Sequence, residues 1–318
     1  MKILITGVHG FVGSNLVKAL SDRNEIYGLD IVAPQKDGVV KTFSWSDLDN
    51  GSIPEVDAII HLAGKAPDTK NKSAADIYFK VNTALTKKIF DYFSSHDGIK
   101  KFIFFSSVKA AVNKVPGDVL TEDVTPSPVG PYGESKVKAE EYILKCLGDA
   151  PAKYQGRDVI ILRPCMIHGP GNKGNLNLLY GVVSKRIPWP LGAFENKRTF
   201  TSIDNLSFVI DRLLHTNVES GIYNMADDDA LSTNELIAVM CQAMGRSPHI
   251  LRISKGLIKS TAKLGDYLHL PLNTFRLEKL TENYVVSNRK IKQALGIDSM
   301  PVKAPDGLTL TIKSFQNK

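Results

Sequence analysis

Cysteine is scarce in this 318-residue chain: Cys146, Cys165 and Cys241 are far apart and odd in number. They form no CxxC redox pair and no zinc spacing, and they exclude a disulfide framework. A reducing, cytoplasmic setting follows as the expectation. Long apolar runs are also missing. None approaches the ~20 residues that a membrane span requires. Lys2 leads straight into ILIT, which reads as a strand and not as the apolar core of a signal peptide. There is no internal repeat, no low-complexity tract and no block of five like charges. No nucleic-acid motif occurs, so nucleic acid is not an expected partner.

What is present is an ordinary globular composition. Hydrophobic residues make up 43% and charged residues 23%, which excludes a disordered or collagen-like chain. The length suits about two domains, or one large α/β domain with an appendage. Lys plus Arg is 40 and Asp plus Glu is 33, a net +7 spread along the chain. Solubility is the plain reading of that excess, and an anionic ligand such as a nucleotide the sharper one.

The first half alternates short apolar runs with helical patterns. Strands are expected at Lys2–Thr6, Glu25–Asp30, Val56–Leu62, Lys101–Ser106 and Asp158–Arg163. Helices are expected at Phe11–Leu20, Ala75–Ser95 and Tyr132–Leu147. Continuous apolar strands alternating with helices predict a parallel sheet covered on both faces. After Arg163 prolines and glycines break the chain into short segments. Gly221–Ala226 reads as one more strand returning to the sheet, and Ser232–Met244 as a helix opened by a Ser232/Glu235 capping box.

Gly7, Gly10 and Gly13 stand between the first strand and the first helix, spaced GxxGxxG. Gly7 permits the tight turn, Gly10 lets backbone approach a pyrophosphate, and Gly13 lets the helix pack on the sheet. The helix N-terminus offers free N–H groups and the positive dipole end to the anion. Asp30, at the end of the second strand, is placed to accept from a ribose 2′-hydroxyl and to repel a 2′-phosphate. NAD is therefore read over NADP, with Lys36 near enough to keep NADP open; Arg23 comes too early for a phosphate clamp.

Tyr132 and Lys136 are four residues apart, so a helix carries them on one face. A neighbouring ammonium favours phenolate and is expected to lower the Tyr132 pKa toward neutrality. Ser107 follows the strand KFIFFS, at the carboxyl end where doubly wound sheets bind ligands. It would hydrogen-bond the reacting oxygen.

These pieces together resemble an extended short-chain dehydrogenase/reductase of the NAD-dependent epimerase/dehydratase kind. The matching segments run in the family's order: TGVHGFVGSNL, LD at 29–30, DAIIHLAG at 57–64, VNTALTKKI at 81–89 and FFSSV at 104–108. YGESK at 132–136, ILRP at 161–164, HGPG at 168–171, PLG at 190–192, RTFTSIDNL at 198–206 and YNMA at 223–226 continue the series. LGI at 295–297 and GLTLTI at 307–312 are similar only in style.

The resemblance implies a Rossmann-type doubly wound parallel sheet with a smaller C-terminal α/β substrate domain. Residues 1–165 would hold NAD, with a returning segment at about 200–244; 166–199 and 245–318 would hold a nucleotide sugar. It implies Ser107, Tyr132 and Lys136 as the catalytic triplet. It implies Gly7, Gly10, Phe11, Val12, Gly13 and Asp30 as the cofactor fingerprint, and Asp47-Leu48 as a pair beside the adenine. Leu62, Ala63 and Gly64 would line the cofactor, Asn82 would steady the active-site strand, and Pro164 would lie near the nicotinamide. Asn175, Leu176, Leu191, Gly192, Arg198 and Arg276 would stand on the diphosphate side of the substrate. A guanidinium fork suits a diphosphate, which favours Arg198; Arg276 rests on position alone. No metal is implied.

The activity implied is C4 epimerisation of a UDP-hexose or UDP-N-acetylhexosamine, with an NAD(P)H-dependent 4-keto reductase of a deoxysugar as the alternative. A cofactor-sensing binder is disfavoured by the complete Ser–Tyr–Lys set. Dehydratases of the family carry Asp-Glu after the catalytic hydroxyl; here Val108 and Lys109 follow Ser107. Ala110-Ala111-Val112-Asn113 stands where VYG is usual, which marks the sugar-facing loop as unusual. A homodimer through the helices at about 75–95 and 132–148 and a role in surface polysaccharide synthesis are further implications. His9, His61, His168, Trp45, Trp189 and the Phe104–Phe105 pair are read as packing residues. Asn71-Lys72-Ser73 fits a glycosylation triplet, which carries no meaning in a cytoplasmic protein.

Overall fold

Strand–helix alternation builds a seven-stranded parallel sheet. A computed structural model describes residues 1–67, 74–172, 174–268 and 273–316; the Asn71–Ser73 triplet lies outside them. The strands are β1 (Lys2–Thr6), β2 (Glu25–Leu29), β3 (Lys41–Phe43), β4 (Ala58–His61), β5 (Lys101–Phe105), β6 (Asp158–Pro164), β7 (Met166–His168), β8 (Arg198–Ser202), β9 (Gly221–Met225) and β10 (Ala230–Leu231). The main sheet has the order β3-β2-β1-β4-β5-β6-β9, and every pairing in it is parallel. The order reverses at β1 and β4, which opens a crevice at their carboxyl ends. A second sheet, β10-β8-β7, stands apart.

The helices are α1 (Phe11–Leu20), α2 (Trp45–Asp49), α3 (Ala75–Tyr78), α4 (Leu85–Ser95), α5 (Val108–Ala111), α6 (Pro131–Asp149) and α7 (Asn175–Ser184). After them come α8 (Ile203–His215), α9 (Thr233–Ala243), α10 (Lys255–Leu268), α11 (Thr274–Thr281), α12 (Arg289–Leu295) and α13 (Ala304–Gln316). Between α3 and α4 the backbone forms a π-helical turn over Phe79–Ala84, so the helix expected over Ala75–Ser95 is wound in three parts.

The strands feed two cores because alternate side chains point to opposite faces. Ile3, Ile5, Ile60, Ile103 and Leu162 pack with α1, α8 and α12 on one side. Leu4, Ile59, Phe102 and Phe104 pack with α4 and α6 on the other. Both faces being apolar explains why these strands read as continuous runs. A third core joins β8 to α7, α9, α10 and α13. Leu236, Ile237, Met240 and Cys241 of α9 belong to this third core. That helix therefore leaves the segment expected to return to the main sheet, while α12 joins the main sheet through Ile291 and Leu295.

Candidate active site

The first βα turn is built for close approach. Gly7 has φ +70°, and a Cβ there would lie 3.0 Å from the Ala63 backbone. A Cβ at Gly13 would lie 2.5 Å from the Gly7 carbonyl oxygen. Gly10 caps α1 without a side chain, which leaves the first N–H groups of the helix to a ligand. Phe11 and Val12 open that helix, and the loop at 169–171 lies over its start. There Asn15 Nδ2 donates to the Pro170 carbonyl at 3.1 Å.

Thr6 closes the neighbouring loop. Its hydroxyl accepts from the amides of Leu62 (3.1 Å) and Ala63 (3.0 Å). The Asp30 carboxylate accepts from the His9 amide at 3.0 Å and from the Ile31 amide at 2.7 Å. It therefore stands at the mouth of the glycine turn. Lys36 is not loose: its ammonium donates to Ser14 Oγ at 2.9 Å, in the first turn of α1.

Asp47 and Leu48 do other work. The Asp47 carboxylate accepts from the Ser44 amide at 2.7 Å, as the reciprocal partner in the α2 capping box. That bonding holds its pKa below the usual carboxylate range. Leu48 is buried in the core beneath α4. β3 ends at Phe43, so the pair lies inside the helix that follows and not directly at the strand end.

The second cluster forms at the carboxyl ends of β4 and β5. Ser107 caps α5, its Oγ accepting from the Lys109 amide at 3.2 Å. Tyr132 and Lys136 project from the first two turns of α6. The Lys136 ammonium is buried and donates to the Phe105 carbonyl at 2.8 Å. A Cβ at Gly64 would lie 3.0 Å from Asn82 Oδ1 and 3.2 Å from Lys136 Nζ, so Gly64 is glycine where lysine and asparagine converge. Asn82, in the π turn, accepts from the Lys65 amide at 2.7 Å and donates to Ser135 Oγ at 3.0 Å. Asn82 is thereby fixed one turn from the Tyr–Lys face. π turns recur at functional sites for this reason: they re-aim a side chain without ending the helix.

Protonation differs from the sequence-based expectation. Part of Tyr132 stays open to solvent, but it stands deep among protein atoms. Burial raises its pKa above 10, and the hydrogen bond from Ser107 pulls it only partly back. Lys136 is not what sets it. Burial lowers Lys136 itself to about 8, opposed by Glu140. An ammonium already bonded to a backbone carbonyl has little left to give the phenol.

Three residues behind this cluster went unnoticed in the sequence. Arg163 and Glu140 form a bidentate pair at 2.9 and 2.5 Å, each 1% exposed. Ser106 also donates to Glu140. The network locks α6 to β5 and β6, directly behind Ser107 and beside Pro164, which ends β6 in the interior. Glu140 continues the face of Tyr132 and Lys136 by one more turn, a spacing that could have revealed it. Tyr284 is the third. Its hydroxyl donates to the carbonyls of Val108 (3.1 Å) and Val112 (2.8 Å), pinning the unusual loop.

On the far side the residues are packed or paired. Leu176 and Leu191 are buried in the third core. A Cβ at Gly192 would lie 2.5 Å from Ile250 Cγ2. The two leucines thus hold the framework through their side chains, and Gly192 leaves room for Ile250. Asn175 is exposed at the start of α7, and Arg276 is exposed on α11. Arg198 is no open clamp. It donates to Glu282 Oε1 at 3.0 Å, to the Glu282 carbonyl at 3.3 Å and to the Lys279 carbonyl. A mostly buried guanidinium must be paired, and Glu282 pairs it.

Lys109 lies close by. Its ammonium donates to the Asn113 carbonyl at 2.9 Å and sits 3.9 Å from the centre of the Tyr284 ring. Burial lowers it to about 8, with Glu282 opposing and Lys279 and Arg198 adding repulsion. Lys109, two residues from Ser107, thus joins Lys279 and Arg198 around the Glu282 carboxylate.

His61 and His168 are structural. His61 bridges Thr6 (2.7 Å) and Thr86 (2.9 Å), and its burial keeps it neutral. His168 bonds Thr311 at 2.9 Å.

A doubly wound sheet with a glycine phosphate turn and a Tyr–Lys helix across the crevice defines a short-chain dehydrogenase/reductase. The chain belongs to the NAD dependent epimerase/dehydratase family, whose model matches residues 3–226. It is 28% identical to a UDP-glucose 4-epimerase of Vibrio cholerae, over 98% of this chain and 95% of that one. It is 27% identical to the N-acetyl-alpha-D-glucosaminyl-diphospho-ditrans,octacis-undecaprenol 4-epimerase of Escherichia coli O157:H7, over 92% and 84%. In fold it resembles MoeE5 in complex with UDP-glucose and NAD, with TM-score 0.76 and 20% identity over 100% and 99% of the chains. The cradle suits the family's cofactor: a Cβ at Gly7 or Gly13 would press on the Ala63 backbone or the Gly7 carbonyl and open the tight turn, and α1 starts with no side-chain cap over its first N–H groups.

Proposed function

We propose that this protein epimerises C4 of a sugar carried on a diphosphate, with a UDP-hexose or UDP-N-acetylhexosamine as the leading substrate. The supporting observation is the convergence of Ser107, Tyr132 and Lys136 at one end of the crevice, opposite the glycine turn. NAD, when bound, supplies reversible hydride exchange at C4. Once ionised in the loaded site, Tyr132 Oη takes the proton from the 4-hydroxyl and gives it back. Ser107 holds that oxygen in place. Lys136 and Asn82 fix the neighbouring ribose and strand.

Asp30 at the turn supports NAD over NADP. Residues 1–165 with β9 and α8 would hold the cofactor, and 166–199 with 245–318 the substrate. Lys109, Lys279 and Arg198 supply the positive field for the diphosphate, and Arg198 must exchange Glu282 for it. Val108 and Lys109, where a dehydratase carries two acids, offer no carboxylate for elimination.

A polyprenol in place of the nucleoside is a second reading, supported by the relative from Escherichia coli O157:H7. Net reduction of a 4-keto deoxysugar uses the same residues and remains the alternative reaction. We also infer a homodimer through the outer faces of α4 and α6, where Lys87, Lys138, Tyr142 and Lys145 line a groove.

The test is incubation with UDP-glucose, UDP-GlcNAc and their C4 epimers, followed by NMR. A C4 mixture formed with no net change in cofactor, and lost in Tyr132→Phe, is the expected result. Inert hexoses together with stoichiometric NAD(P)H oxidation on a 4-keto sugar would establish the reductase instead.

A further inference from the structure

Helix α5 is a single turn, Val108–Ala111. Ordering one turn fixes several residues for one backbone bond, so such a helix does not hold itself. Its N-cap is Ser107, whose hydroxyl bonds Tyr132. The place of Ser107 therefore depends on what grips α5 from outside.

α6 presses on its middle. A Cβ at Gly133, next to Tyr132, would run into the Lys109 carbonyl oxygen. The Ser127 amide holds the far end, donating to the Ala111 carbonyl at 2.7 Å. The near end belongs to Tyr284. Its hydroxyl meets the carbonyl of Val108, the residue after Ser107, at 3.1 Å and that of Val112, the C-cap, at 2.8 Å. One hydroxyl thus spans the turn from its first residue to its end.

Tyr284 is itself firmly placed. It is buried in a fourth core with Val108, Ala111 and Val112. Its amide donates to the Lys197 carbonyl at 2.8 Å, and its carbonyl accepts from the Thr199 amide at 3.2 Å. Those two bonds straddle Arg198. The Lys109 ammonium, 3.9 Å from the ring centre, covers one ring face. Apolar packing alone asks for no hydroxyl here, and a buried one is costly unless it is bonded. The two carbonyls of α5 give it that bonding.

We propose that Tyr284 is a positioning residue: through the Val108 and Val112 carbonyls it sets α5, and through α5 it holds Ser107 Oγ against Tyr132 Oη. The inference rests on the reading that Ser107 and Tyr132 act at the C4 oxygen, and it gives the C-terminal segment a part in the chemical step.

Tyr284→Phe tests it, because phenylalanine keeps the ring under Lys109 and loses only the hydroxyl. The Val108 carbonyl still accepts from the Val112 amide at 3.2 Å, so one carbonyl alone loses its partner and the fold should survive. On whichever sugar the wild type turns over, kcat should fall about tenfold, with KM and NADH affinity within about twofold. In a Ser107→Ala background the same change should cost less than about twofold, because the residue it acts through is gone. Lys109→Met, which uncovers the ring, repeats the cycle should Tyr284→Phe fold poorly. A further readout needs no sugar. In ultraviolet titration of the free protein, differenced against Tyr132→Phe, Tyr284→Phe should move ionisation of Tyr132 to higher pH, as Ser107→Ala does. A wild type inert on every sugar would sink the C4 reading and leave that titration to decide. Wild-type kcat in Tyr284→Phe overturns the proposal. So does a loss of kcat retained in full in Ser107→Ala, or a Tyr132 titration that Tyr284→Phe leaves unmoved.

Discussion

Tyr132 and Lys136 each hold a protonation state that burial disfavours ionising. For Lys136 the consequence can be worked out in sign. Its folded pKa of about 8 lies below the ordinary lysine value. Between those two values the unfolded chain binds more protons, so this group makes stability rise with pH across that window. Below about 8 both states are charged and the burial penalty is complete. Thermal unfolding midpoints taken from neutral pH to about 10 should show that rise in wild type and lose it in Lys136→Met. Tyr132 acts in the opposite sense, and only above the ordinary tyrosine value. Without cofactor its phenolate absorbance should therefore appear above pH 10. At Arg198 the prediction concerns binding. Glu282→Gln removes the charge that competes with a diphosphate, so KM for the diphospho-sugar should fall severalfold with kcat little changed. An unchanged KM would remove Arg198 from the diphosphate site.

At the scale of elements, two contacts set the crevice. α1 meets β1 and β4 through glycine. Gly13→Ala forces a methyl group to 2.5 Å from the Gly7 carbonyl. The expected loss is about 1–3 kcal/mol of stability, together with NAD affinity measured by calorimetry. Gly148→Ala, with nothing within 4 Å near the end of α6, should instead stabilise by roughly 0.5–1 kcal/mol. α6 meets β6 through Arg163 and Glu140. Removing one member strands a buried charge, so Arg163→Met should cost about 3–5 kcal/mol in denaturant unfolding. Replacing both should recover part of that loss.

Legibility also divided by element. β1, β4, β5 and β6 were plain because both sheet faces are apolar and the strands are uninterrupted hydrophobic runs. β3, β7 and β10 were missed at three residues or fewer, and β8 because RTFTS holds a single apolar residue; pairing sets them more than pattern does. GLTLTI at 307–312 has strand-like residues, yet it lies in helix α13 because Leu308 and Ile312, one turn apart, fill the third core.

For the whole molecule, the chain's two parts meet where Tyr284, Glu282 and Lys279 come from the tail to touch Lys109, Val112 and Arg198. Under the proposed function, substrate charge would be met there by residues far apart in sequence. Local periodicity and spacing determined the sheet, the glycine turn, Asp30 and the Tyr–Lys face, because each is a property of a few neighbouring residues. Tertiary structure alone decided what those groups experience. It buried Tyr132 and raised its pKa, and gave Arg198 to Glu282 and Glu140 to Arg163. Desolvation and charge pairing depend on which distant segments close over a group, and no window of sequence contains that information.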